Sequence, residues 1–101
     1  MLPSMAAKTK NERLLEKLHR AKGSLPSLTK TWAARDKSWN RNPTPYQFAA
    51  RAALDLGEGF LAFDIAATGL AIFRSNASLT QIQALALART GSPEAANAAL
   101  R

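Results

Sequence analysis

At 101 residues, with 47% hydrophobic and 21% charged side chains, the chain has the composition of one small globular domain; wholesale disorder and a second independent core are excluded. Cysteine is absent, which excludes disulfides, thiolate nucleophiles and cysteine-ligated zinc, and a reducing cytoplasm is the compartment that fits. The net charge of +7 sits wholly in residues 1–42, where ten Lys and Arg face Glu12, Glu16 and Asp36, whereas in residues 43–101 four arginines balance four acids.

Leu2 is followed by Pro3 and a polar, lysine-bearing stretch, so no secretory leader is expected. No apolar run reaches the ~18 residues of a membrane span, since Asp64 and Thr68 interrupt the longest one. The first element is announced by Thr9 and Glu12, a capping box that opens a helix over residues 10–22. Leu14, Leu15, Leu18 and Ala21 line one face, Arg13, Lys17 and Arg20 another, and Gly23 is expected to stop the helix in a left-handed conformation. So short a helix is marginal alone and must lie against something. A turn around Pro26 follows, then a second helix over residues 28–39 with Leu28, Trp32, Arg35 and Trp39 on one stripe. Residues 40–45, rich in proline and asparagine, read as a linker, so residues 1–42 are expected to form a basic, partly flexible N-terminal helical extension.

From Thr44 the signals sharpen. Thr44 as N-cap, Pro45 at the first helical position and Gln47 as capping side chain predict a helix over residues 45–56, ended by Gly57-Glu58-Gly59. The next helix places Leu61, Ala62, Ile65, Ala66, Gly69, Leu70 and Phe73 on one face, a period of 3.6. Ser78 and Gln81 form a further capping box that opens a helix through Leu79, Ile82, Leu85 and Ala86 to Arg89. Ser92 and Pro93, after Gly91, start a last helix to residue 101.

Gly57 and Gly91 lie 34 residues apart, and the chain aligned on itself at that offset pairs Gln47 with Gln81, Ala50 with Ala84, Ala52 with Ala86 and Ala62 with Ala96. Two helices joined by a tight turn approach closely only where small residues sit at the crossing. Ala50, Gly57, Ala62, Gly69, Ala84, Gly91 and Ala96 are the expected packing and turn positions, and Ala50→Leu is expected to cost about 1–3 kcal/mol. A unit of this length and pattern resembles a tetratricopeptide repeat. GEGFLAFDIAATGLAIF and LTQIQALALARTGSPEAANAAL resemble, more narrowly, repeats of bacterial proteins related to the TRAF-binding domain of kinase-kinase-kinases. Tyr46 stands where the family often has tryptophan, while Arg74 replaces the closing proline. The resemblance implies an all-α fold of stacked antiparallel hairpins, a first repeat over residues 43–76, a truncated second over 77–101, and a protein-interaction scaffold that carries no catalytic residue.

By analogy with the family, Tyr46, Gln47, Arg51, Gln81, Gln83 and Arg89 are the candidate contacts to a peptide or protein. Two repeats fall short of the three or more such stacks need, so further repeats or a second copy of the chain are expected. The competing reading gives the work to the basic face, with Lys10, Arg13, Lys17 and Arg20 binding nucleic acid or an anionic membrane. An enzyme is opposed by the lack of a nucleophile–base or ligand set: His19 is the lone histidine, and Asp55, Glu58 and Asp64 read as helix-end charges. No cofactor or metal is expected.

Overall fold

The structure is a computed structural model that describes residues 9–90, apart from the side chains of Lys10 and Asn11. The turn expected at Gly91, the helix expected after Pro93 and the packing position Ala96 lie outside the described residues. Within them the chain is all-helical: α1 (Lys10–Ala21), α2 (Leu25–Ala33), a short 3-10 helix (Lys37–Arg41), α3 (Thr44–Asp55), α4 (Gly59–Ile72) and α5 (Ala77–Arg89).

α1, α2, the 3-10 helix and α5 start where a side chain takes up an otherwise unpaired amide, though not always the expected one, whereas α3 and α4 start without such a cap. The Thr9 hydroxyl oxygen accepts from the Glu12 amide at 3.1 Å, as the capping box requires. Gly23, in contrast, has no left-handed conformation; α1 ends in an ordinary turn in which the Ser24 amide donates to the Ala21 carbonyl at 3.0 Å. The stretch around Pro26 is not a turn before α2 but its first turn, because Ser24 caps it and proline needs no partner for a missing N–H there. The helix expected over residues 28–39 divides: α2 stops at Ala33, and the Asp36 carboxylate, accepting from the Ser38 amide at 2.9 Å, starts the 3-10 helix instead.

Two further caps shift. Thr44 is already helical, with its amide donating to Asn42 Oδ1 at 3.1 Å, and Gln47 turns away from the helix start altogether. At α5 the cap is Asn76, whose Oδ1 accepts from the Leu79 amide at 2.9 Å, not Ser78. The α3 end follows the expectation closely: Gly57 takes a left-handed φ of 80°, and the Glu58 and Gly57 amides donate back to Ala53 and Leu54, both at 2.9 Å. That paired arrangement reverses the chain within residues 56–58 and lays α4 against α3.

Helix α3 is the hub, packed against α1 and α2 on one side and α4 and α5 on the other, while α4 and α5 pack on each other. One core cluster runs from Leu14, Leu18 and Ala21 through Leu28, Trp32 and Trp39 to Ile65, Leu79 and Ile82, and so spans both sides of residue 42. The small residues sit where helices meet: Ala50 and Ala62 are wholly buried, and a Cβ added at Gly69 would come within 2.8 Å of Leu79 Cδ1 and 2.9 Å of Tyr46 Cβ. Gly59, outside the expected packing set, does the same at the other end of α4, where an added Cβ would stand 3.2 Å from the Ala86 carbonyl oxygen. Ala84 is only half-buried, so its share in any crossing is smaller.

Candidate functional site

The six residues expected to meet a partner do not share one environment. Tyr46 is 2% exposed and stands in an aromatic cluster, its ring edge-on to Trp32, Trp39 and Phe73 at centroid distances of 6.0, 5.3 and 6.2 Å. Its hydroxyl donates to Asn40 Oδ1 at 2.8 Å. Burial pushes its pKa above the usual tyrosine range, opposed in part by the positive charge of Arg35. A buried, hydrogen-bonded tyrosine of this kind holds the fold together from inside.

Gln47 and Arg89 also serve the fold. The Gln47 amide donates to Asn76 Oδ1 at 3.1 Å, joining the start of α3 to the cap of α5. The Arg89 guanidinium donates to the Leu54 carbonyl at 2.7 Å, closing the opposite ends of the same two helices. Carbonyls in the last turn of a helix lack partners within it, and a cation there also meets the negative end of the helix dipole. Arg51, Gln81 and Arg89 are exposed and Gln47 and Gln83 half-buried, so of the six only Tyr46 is closed to a partner.

Of the four apolar residues along which α5 is expected to run, Leu79, Ile82 and Ala86 are buried and Leu85 is 41% exposed. The signal was present: the 34-residue offset pairs Leu85 with Arg51, and a position held by arginine in one copy faces water in both. Among the described residues Phe60, at 78%, and Ile72 are the other large hydrophobic side chains left exposed.

The basic residues converge more than the sequence suggested. Arg13 and Lys17 of α1 line a cleft of about 630 Å³ together with Lys37 and Arg41 of the 3-10 helix, over a floor that includes Leu14 and Trp39. An adjoining cleft of about 320 Å³ shares Lys17 and adds Arg20 and Lys30. Lys37, Arg41 and Lys30 were not among the expected anion-binding residues, because nothing in linear order links them to the face of α1. Arg20 is paired with Glu16 at 2.5 Å, and the Asp36 carboxylate accepts from the Ser38 hydroxyl at 2.5 Å. The side chain of Lys10 lies outside the described residues.

His19 is exposed, with its ring 6.2 Å from that of Phe48. Asp55 and Asp64 are exposed and Glu58 half-buried; Asp64 Oδ2 accepts from Trp32 Nε1 at 3.3 Å, a bond from α4 to α2. Among the described residues no three His, Asp or Glu side chains gather as metal ligands, and no helix is long and apolar enough to cross a membrane. No protein family, curated protein or solved structure matches the chain.

Proposed function

We propose that the chain is a short α-solenoid of antiparallel hairpins, similar to tetratricopeptide repeats, that serves as a scaffold for a protein or peptide partner and performs no catalysis. The observation that carries this reading is the order of helix contacts. Extensive packing joins α1 to α2 and α3, α2 to α3, α3 to α4 and α5, and α4 to α5: each helix meets its successor and, along α1, α3 and α5, the next but one. Stacked hairpins produce that order, because every hairpin touches only its neighbours. On this reading α1 and α2 are a hairpin of the same stack, placed ahead of the repeat that begins at residue 43.

In such a stack α1, α3 and α5 lie side by side and share a face. Arg51 on α3, with Gln81 and Leu85 on α5, offers there an apolar spot flanked by hydrogen-bonding groups, which suits an extended peptide. Selection of a random peptide library on the full chain tests this. Enriched peptides should lose about tenfold in affinity, roughly 1.4 kcal/mol, on Leu85→Arg, with the melting temperature unchanged. Failure to enrich any peptide, or enriched peptides indifferent to both Leu85→Arg and Arg51→Glu, would contradict the reading.

A further inference from the structure

We propose that the basic clefts at the α1 end of the molecule bind the phosphate backbone of nucleic acid without reading its sequence. Six cations from three segments meet there: Arg13, Lys17 and Arg20 from α1, Lys30 from α2, and Lys37 and Arg41 from the 3-10 helix. Two carboxylates lie among them: Glu16 is paired with Arg20, and Asp36, in the lining of the larger cleft, keeps its charge while it bonds Ser38, so the six positive charges are offset by two and an excess of four remains. Holding this many like charges on one surface is costly, and a run of phosphates is the chemistry that relieves it, with release of the condensed counterions as the driving force.

The lining decides between the polyanions. Helices that lie on membranes set leucine or aromatic side chains beside their cations so that these enter the lipid. Here the apolar lining is closed, with Leu14 buried and Trp39 only 1% exposed, and among the described residues the exposed large hydrophobics Phe60, Ile72 and Leu85 belong to α4 and α5. A concave surface with charged walls and no apolar prow fits a strand better than a flat headgroup layer. Stacking of bases on aromatic rings is closed off for a related reason. The stacking faces are spent, since Trp39 is buried and the Arg35 guanidinium lies 3.8 Å over the Trp32 ring. Affinity therefore comes from phosphates alone, on a surface distinct from the Arg51–Leu85 face and independent of what binds there.

The test is fluorescence anisotropy of the full chain with labelled duplexes of two unrelated sequences across a salt series, beside vesicles containing phosphatidylserine. Both sequences should bind with similar affinity, and the logarithm of the binding constant should fall against the logarithm of salt with a slope of about −3.6, about 0.9 for each of four phosphates. Lys37→Glu and Arg41→Glu should each flatten the slope by about one and weaken binding to both sequences alike. Arg74→Glu, an equal change of charge just past α4 and outside both clefts, should leave the slope as it was. The proposal is overturned if no duplex binds at low salt, if Arg74→Glu costs as much as Lys37→Glu, or if the vesicles bind and the duplexes do not.

Discussion

Between α3, α4 and α5 the helices meet through Ala50, Ala62, Gly59 and Gly69, whereas α1 and α2 reach α3 through leucines and two tryptophans. Contacts of the first kind fix the distance between backbones and leave no volume to spare, so any added carbon must displace another. Contacts of the second kind fill a wider gap with a few large side chains, so the interface depends on each of them. The surfaces differ as well: the α1–α2 side carries the whole charge excess, and the α3–α5 side, net neutral in residues 43–101, carries the exposed apolar residues. One fold thus offers two chemically opposed faces, so the two partners proposed above would not compete for one surface.

The largest effect should come from the wide interface. Trp39→Ala removes a side chain in contact with both Trp32 and Tyr46, and should lower stability by about 3–5 kcal/mol in chemical denaturation. A loss under 1 kcal/mol would mean that the aromatic cluster does not fasten α2 to α3. In the narrow interface the sign of the volume change reverses. Ala50→Leu or Gly69→Val should each cost about 1–3 kcal/mol through overpacking, although valine has a better helix propensity than the glycine it replaces. An unchanged melting temperature in either variant would break the contrast between the two interfaces.

These aromatic and small-residue contacts were unequally legible in the sequence. Helix periodicity and the glycine of the Gly57 turn are local signals that spacing displays, and Ala50, Ala62 and Gly69 are buried. Caps were read less well, because Ser78 and Asn76 both carry a suitable oxygen and only the backbone path of residues 74–76 decides between them. The division of the second helix escaped notice since Asp36 competes locally with a stripe that still looked continuous through Trp39. Tyr46 is buried, and the bonds of Tyr46, Gln47 and Arg89 to Asn40, Asn76 and the Leu54 carbonyl tie these candidate contacts into the fold as well. Such long-range pairings leave no trace in the spacing of residues, and neither does the gathering of Lys37 and Arg41 beside α1.

Smaller effects sharpen the picture at single bonds. Arg89→Met keeps the aliphatic stem but removes the donor to the Leu54 carbonyl, and should cost about 1 kcal/mol in denaturant unfolding. Tyr46→Phe, which loses the bond to Asn40, should cost a similar or smaller amount near neutral pH. Its clearer signature is alkaline. Because burial raises the folded-state pKa of Tyr46, its contribution is fully present below the ordinary tyrosine value of about 10 and is lost as pH rises through the folded value. The wild-type chain should therefore lose stability above pH ~10 more steeply than Tyr46→Phe; parallel profiles would contradict the buried hydroxyl.

The central claim is that α1 and α2 belong to the same packed stack as α3, α4 and α5. Both tryptophans lie on the α1–α2 side of residue 42, while far-ultraviolet circular dichroism reports all the helices. Equilibrium urea unfolding followed by the two signals at once should give coincident transitions with one midpoint. A tryptophan transition completed at lower urea, with most of the helical signal still in place, would show that the basic segment is a separate, loosely held extension.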